Sequence, residues 1–183
     1  DARGLKTGYG YNGFNELISL ASPDTGSTQY QYDAAGNVVR KTDARNVAST
    51  FRYDAANRVN QIVYPDETLS YSYDEASGGA GGKGRLTGFT DGSGRTRYAY
   101  DALGRETARM QQLGSDTDTS ARKTVGMAYA DGRLTGMSLP SGAQVGYRYG
   151  SDGRVRELLV NGVVVISEID HFLFGEVSGW TTV

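Results

Sequence analysis

Polar and apolar positions alternate along this chain in short bursts, and the bursts recur. The stretch "YQYDAAGNVVRKTD" from Tyr30 to Asp43 returns as "FRYDAANRVNQIVYPD" from Phe51, "YAYDALGRETARM" from Tyr98 and "YRYGSDGRVREL" from Tyr147. A Tyr-x-Tyr pair places two rings on one face of a strand, because successive side chains point to opposite faces. The residues that open these pairs are Tyr9, Tyr30, Phe51, Tyr71, Tyr98, Met127 and Tyr147, with Met127 standing where a tyrosine would be. Their separations are 21, 21, 20, 27, 29 and 20 residues. Twelve of the 13 tyrosines fall in the pairs and only Tyr64 lies outside, so chance does not explain the spacing. A fixed period of this length marks a repeat architecture.

Each repeat predicts two strands and two turns. After the Tyr-x-Tyr strand, Asp33 opens a turn in which its carboxylate can accept backbone N–H groups two residues on. Ala34 and Ala35 suit a right-handed turn, and Gly36 stands where a left-handed residue closes a hairpin as a bulge. The same slot carries Asn15, Asn57, Gly104, Gly132 and Gly153, all residue types that tolerate positive φ. The copy that holds Met127 is one residue shorter, so its turn is expected to differ. A return strand follows, opened by an Arg and an aliphatic at Arg58-Val59, Arg85-Leu86, Arg133-Leu134 and Arg154-Val155; Glu106 breaks the aliphatic position. Second turns read "PDTG" at Pro23, "DARN" at Asp43, "PDET" at Pro65, "DGSG" at Asp91, "PSG" at Pro140 and "NG" at Asn161. Strands of roughly six residues and turns of about four account for the period. The two long steps coincide with "SGGAGGKG" at 77–84 and "QQLGSDTDTSARKT" at 111–124, read as loops that protrude from a regular scaffold.

Composition agrees. Glycine is 26 of 183 residues, about twice the usual ~7%. Glycine weakens helices and tyrosine favours strands. The expected fold class is therefore all-β, a meandering antiparallel hairpin strip. The expected organisation is one repeat array over 1–183, with units at 9–29, 30–50, 51–70, 71–97, 98–126, 127–146 and 147–170 and a degenerate end segment at 171–183. A lone hairpin is marginal in water, so neighbouring units must share their rings to be stable. Lys and Arg number 19 against 21 Asp and Glu, a net charge of -2 that argues against a nucleic-acid partner. No stretch approaches the roughly 18 apolar residues of a membrane helix, and no signal-peptide pattern is visible. Cysteine is absent, which excludes disulfides and thiolate chemistry. The first residue is Asp1 rather than Met, as expected of a piece of a longer polypeptide.

The Tyr-x-Tyr-Asp-x-x-Gly-Arg-Leu pattern at this spacing resembles the RHS-repeat, or YD-repeat, family. The likeness runs from about Tyr9 to about Ile169 and is clearest at "YQYDAAGN", "FRYDAANR" and "YAYDALGR". The closing "SEIDHFLFGEVSGW" at 167–180 looks like a degenerate further segment, with His171 and Leu173 at positions where the family usually has Tyr and Pro. The resemblance implies a β-strip that spirals into a hollow shell. In bacterial members that shell encloses a C-terminal toxin, and the whole is secreted or delivered at a cell surface. The implied partners are other segments of the same shell polypeptide and the enclosed toxin domain. The Asp-Pro-x-Gly core of the family's self-cleaving segment is not found here.

Each candidate for chemistry reads better as architecture. His171 is the sole histidine and cannot build a histidine metal cluster. "SGGAGGKG" has Ser77 at the first glycine position of a phosphate loop and Gly84 where Ser or Thr belongs. "DTDTS", with Asp116, Asp118 and Ser120, opens like a calcium loop but has Ala121 and Met127 at the Gly and Glu positions. Asp33, Asp54, Asp74 and Asp101 each follow a tyrosine at a strand end, which suits turn capping rather than acid–base catalysis. No catalytic, cofactor or metal residue is therefore assigned. The residues expected to carry the repeat are Tyr30, Tyr32, Asp33, Gly36, Tyr53, Asp54, Asn57, Tyr71, Tyr73, Asp74, Tyr98, Tyr100, Asp101, Gly104, Tyr129, Gly132, Tyr147, Tyr149 and Gly153. The expected function is a non-enzymatic wall segment of a toxin-enclosing shell. The alternative is a module that binds carbohydrate or a cell surface through exposed tyrosines.

Overall fold

The structure, a computed structural model, describes residues 4–114, 121–173 and 175–183. Sixteen strands follow one another in chain order without a crossover. Backbone contacts divide them into two compact units. One comprises residues up to Ser72 together with Phe89–Ser93, and the other comprises Tyr73–Gly88 and Gly94–Val183. The strands are β1 (Gly8–Tyr11), β2 (Leu17–Ser22), β3 (Gly26–Tyr32), β4 (Val38–Thr42), β5 (Ala48–Tyr53), β6 (Val59–Val63), β7 (Thr68–Tyr73) and β8 (Leu86–Asp91). They continue as β9 (Gly94–Tyr100), β10 (Glu106–Leu113), β11 (Arg122–Ala130), β12 (Arg133–Ser138), β13 (Gln144–Tyr149), β14 (Val155–Val160), β15 (Val163–His171) and β16 (Val177–Thr182). The all-β expectation is correct, and a 3-10 turn lies at Ala76–Gly78.

The turns form by local chemistry. In the hairpin β3–β4, the Asp33 N–H donates to the Asn37 carbonyl at 2.9 Å and the Gly36 N–H donates to the Asp33 carbonyl at 3.1 Å. Gly36 has φ 82°, and the equivalent Asn15, Asn57, Gly104 and Gly153 lie at 64°, 58°, 77° and 78°. Glycine adopts that region readily, and asparagine and aspartate do so at some expense. The short copy differs as expected. Ala130 pairs directly with Arg133, so two residues make the turn, and both have positive φ, Asp131 at 50° and Gly132 at 78°. Asn161 and Gly162, at 50° and 82°, make the same kind of turn between β14 and β15.

The register holds a feature that strand periodicity conceals. Tyr32 pairs with Val38 while Gln31 pairs with Arg40, so Val39 is an extra residue in the return strand. The same one-residue bulge places Ile18, Asn60, Thr107, Thr135 and Arg156 opposite the second aromatic of their own hairpins. Ser178 occupies that place between β15 and β16. Bulges bend a strand and increase its twist, so each of these hairpins is bent locally where its second aromatic lies.

Little apolar surface is fully covered. Leu159 and Ile169 are the buried hydrophobic residues among those described, and Thr87, Thr96 and Gln112 are buried with them. The tightest region is the glycine-rich insertion, and here the expectation of a protruding loop is wrong. Gly78, Gly81 and Gly82 are buried. A Cβ on Gly81 would strike the Asp101 carbonyl, one on Gly79 would lie 2.6 Å from the Tyr100 carbonyl, and one on Gly78 would strike Thr87. The glycines are needed because the segment lies on the backbone of β9, not because it swings free. The second insertion is partly strand as well, since Gln111 and Gln112 pair with Lys123 and Arg122. Asp116, Asp118 and Ser120 lie outside the described residues.

Candidate functional site

The recurrent side chains converge on the seams between consecutive hairpins. In five of the seven pairs the second aromatic reaches back one hairpin and donates its hydroxyl to a backbone carbonyl of the return strand. Tyr32 bonds the Leu17 carbonyl at 2.8 Å, and Tyr53 bonds that of Val38 at 2.8 Å. Tyr100 bonds that of Leu86 at 2.8 Å, Tyr129 that of Glu106 at 2.9 Å and Tyr149 that of Leu134 at 2.6 Å. The acceptors Leu17, Val38, Glu106 and Leu134 each stand immediately before the extra residue of a bulge. A net contribution of about 0.5–1.5 kcal/mol per bond is ordinary for such a pair. Because the acceptor is a carbonyl, the side chain at that position is free to vary, which is why Glu106 fits in an aliphatic slot. Its own carboxylate pairs with Arg109 at 2.9 Å.

His171 belongs to this series. Its Nε2 lies 3.1 Å from the Val155 carbonyl, the acceptor that a tyrosine would take, and it donates there in the tautomer protonated on Nε2. The opposite nitrogen, Nδ1, is buried without a partner.

A second column is cationic. The guanidinium of Arg105 sits over the Tyr129 ring at 4.5 Å, that of Arg133 over Tyr149 at 5.4 Å and that of Arg85 over Tyr100 at 5.8 Å. In each case the residue that opens one return strand covers the second tyrosine of the next hairpin. Such contacts contribute about 0.5–1 kcal/mol at exposed sites. Arg154 donates to the Phe172 and Leu173 carbonyls at 2.8 and 3.0 Å. Asn37 sits in the same column, donating from Nδ2 to Asn57 Oδ1 at 3.1 Å.

The aspartates serve their own turns. Asp33 Oδ1 accepts the N–H groups of Ala35 and Asn37, both at 2.9 Å. Asp54 accepts those of Ala56 and Arg58 at 2.8 and 3.0 Å, and Asp101 those of Leu103 and Arg105 at 2.9 Å. The carboxyls of Asp33, Asp54 and Asp101 are held below the ordinary aspartate range, chiefly by the backbone N–H four residues on. Arg58 and Arg105 add ion pairs of 2.7 Å to Asp54 and Asp101. Asp74 differs: it has φ 60° and accepts the Gly84 N–H across the glycine-rich insertion. Asp43, in a second turn, repeats the Asp33 arrangement with Arg45 and Val47 at 2.9 Å.

First-position aromatics have other surroundings. The Tyr71 ring lies 6.3 Å from that of Phe89, Arg109 covers Tyr98 at 5.3 Å, and the Tyr147 hydroxyl lies 3.3 Å from the Met137 sulfur. Tyr30 is half-buried between the exposed Gln29 and Gln31, and Tyr73 closes β7. The columns are thus tied mainly by hydroxyl-to-carbonyl bonds and guanidinium-over-ring contacts, with ring-on-ring contact at Tyr71 and Phe89. Sequence reasoning placed the tyrosines but missed these bonds. The signal was present: the second position is Tyr in all seven pairs, whereas the first admits Phe51 and Met127. Among the described residues, no group of three or more His, Asp or Glu is placed to hold a metal, and no helix is long and apolar enough to cross a membrane.

A hairpin array whose recurrent polar side chains are spent on its own turns and seams is a repeat scaffold. The RHS Repeat family model matches residues 11–48, 32–68 and 82–111, and over these residues the chain is made of RHS repeats. More particularly, it is similar to the toxin protein Tse5 of Pseudomonas aeruginosa, with 27% identity over 185 residues that cover 80% of this chain and 14% of that protein. Its fold is that of a segment of the TcdB2–TccC3 crystal structure, at a TM-score of 0.76 and 17% identity, over 96% of this chain and 10% of that one. A Tc holotoxin pore of Photorhabdus luminescens carrying a TccC3 mutation matches at a TM-score of 0.74 and 18% identity, with the same coverage. The chain therefore spans only a small part of the length of each.

Proposed function

We propose that this chain is a non-enzymatic wall segment of an RHS-type shell whose task is to enclose a toxin domain. The observation that carries the proposal is the recurrence of the seam within each unit. At Tyr32, Tyr53, Tyr100, Tyr129, Tyr149 and His171, a ring hydroxyl or an imidazole nitrogen closes one hairpin on the one before, leaving these residues occupied by structure rather than by substrate. The likeness to a named toxin supports a toxin context. In this reading the partners are neighbouring segments of the same polypeptide and the enclosed domain, the parent is bacterial, and it is secreted or delivered at a cell surface.

The test uses the polypeptide that carries this segment. Its toxin domain should resist added protease when the wall is intact. It should become digestible when Tyr53, Tyr100 and Tyr149 are replaced together by alanine. Equal digestion of both proteins would overturn the containment reading.

A second reading, carbohydrate binding, rests on one depression. Asn12, Phe14, Glu16, Tyr30 and Tyr32 line a cavity of about 780 Å³, and Phe14 is 86% exposed beside these polar groups. Saturable glycan binding that disappears in Phe14→Ala would support it, and an unresponsive glycan array would remove it.

A further inference from the structure

The strands of the first unit sort their charges by face. β1 to β7 contain no aspartate or glutamate, and the acidic residues from Glu16 to Glu67 all lie in the connections between them. The cations of those strands are Arg40, Lys41 and Arg52. Register assigns each to a face. Tyr30 pairs with Lys41, so Lys41 shares the face of the repeat tyrosines, whereas Gln31 pairs with Arg40. Arg40 pairs in turn with Thr50, and Arg52 stands two residues beyond Thr50 with Gln61 opposite. Arg40 and Arg52 are therefore diagonal neighbours on the face opposite the tyrosines, a separation of about 7–8 Å between backbone positions.

The turn arginines of this unit are neutralised locally, Arg45 by Asp43 and Arg58 by Asp54, both at 2.7 Å. Arg40 and Arg52 are exposed, and no described residue pairs with either. Around them the face offers amides and hydroxyls, from Gln31, Thr50, Gln61 and Ser70. Arg52, Asn60 and Gln61 border a depression of about 210 Å³ with Tyr71. Two guanidiniums this close repel one another, and a carboxylate set between them removes that repulsion and accepts charge-assisted N–H bonds. Amide side chains both donate and accept, which suits the N–H and C=O groups of a peptide backbone.

We infer that this face of β3–β7 docks an acidic polypeptide partner, with its carboxylates on Arg40 and Arg52 and its backbone amides on Gln31 and Gln61. The charge complementarity is local, since the chain as a whole has a net charge of -2 while these strands carry cations alone. The contact stands apart from containment: it needs no toxin domain and is measured without one, so either reading can fail alone.

A fluorescent Glu–Ser octapeptide titrated into the intact chain, read by anisotropy, tests the contact, and a Gln–Ser octapeptide with the same label is the uncharged control. The acidic peptide should bind saturably and the control should not. Raising salt from about 50 to about 500 mM should weaken binding. Arg40→Gln and Arg52→Gln should each weaken it about 2- to 5-fold, the scale of an exposed ion pair, and the double variant should weaken it further. Lys41→Gln removes the same charge from the next residue, on the opposite face, and should leave binding unchanged. All three side chains are exposed, so the variants keep the fold, as far-ultraviolet circular dichroism verifies. Absence of binding overturns the proposal. So does an equal loss in Lys41→Gln and Arg40→Gln, which would assign the affinity to net charge rather than to this face. Tighter binding of single-stranded DNA or of a sulfated glycan, lost in the double variant, overturns the choice of partner, and self-association of the chain lost in that variant gives the face to a second copy instead.

Discussion

Tyr30 and Tyr32 sit two residues apart on one strand, are both half-buried, and differ chiefly in what their hydroxyls do. Tyr32 donates to the Leu17 carbonyl at 2.8 Å, whereas Tyr30 lies at the position where Phe51 and Met127 serve in other repeats. The substitution to phenylalanine should therefore separate them. In Tyr32→Phe the ring stays and the hydrogen bond goes, leaving a half-buried carbonyl without its donor. The expected loss is about 1–2 kcal/mol, between the net worth of the bond and the desolvation penalty of the stranded group. Unfolding entropy near 2.1 cal/mol/K per residue, taken over 183 residues, converts that loss to a Tm about 3–5 °C lower. Tyr30→Phe should move Tm by less than about 1 °C. Calorimetry with urea melts on both variants makes the comparison. Equal losses would show that ring burial, not the hydroxyl, holds the seam; no loss in either would show that the seam bond has no net worth.

Three further outcomes follow from the same geometry. Gly81→Ala should destabilise by about 1–3 kcal/mol in urea melts, because its Cβ would meet the backbone carbonyl of Asp101; a protruding loop would accept alanine without effect. Asp33, Asp54 and Asp101 have folded-state pKa values depressed below the ordinary 3.8. Their stabilisation is therefore present above that value and is lost as pH falls through the depressed folded values. Melts between pH 5 and roughly pH 2 should show the decline, and Asp54→Asn should reduce it while keeping the turn, as Asn12 does in the first hairpin with the N–H groups of Phe14 and Glu16. His171→Tyr should hold or raise Tm by supplying a phenol donor to the Val155 carbonyl now met by Nε2 at 3.1 Å; a fall of several degrees would show that His171 is not a seam residue.

What the sequence made legible is what short-range chemistry decides. Asp33 bonds groups two and four residues away, and Gly36 answers to its own φ, so the turns could be read from a few adjacent letters. The strands followed from where the turns fell. The bulges could not be read this way, because an extra residue such as Val39 or Asn60 changes register against a partner strand and leaves no local mark. The seam bonds were hidden for the same reason, since donor and acceptor stand 15 residues apart in Tyr32, Tyr53 and Tyr149. The glycine-rich insertion misled because glycine signals two opposite things. It permits flexibility in open space, and it permits close approach where a backbone lies against it; Gly78 and Gly81 are the second kind.

The seam also accounts for where the repeat is allowed to vary in length. The 27-residue step arises from an insertion between Tyr73 and Leu86, inside a hairpin's own turn. It leaves the next donor and acceptor, Tyr100 and Leu86, 14 residues apart. The 29-residue step adds its residues between β10 and β11, beyond the Glu106 carbonyl, and Tyr129 still reaches that acceptor although 23 residues now separate them. The first insertion lies outside the stretch from acceptor to donor, and the second lies inside it but beyond the bulge, so neither shifts the register at the carbonyl. Length is therefore unconstrained at the loops and fixed at the bulge, because the phenol must arrive opposite a carbonyl set by the register of another hairpin. A residue inserted between Phe51 and Tyr53 would turn one ring to the opposite face of the sheet and break the seam, whereas several inserted after Asp91 would only lengthen a loop.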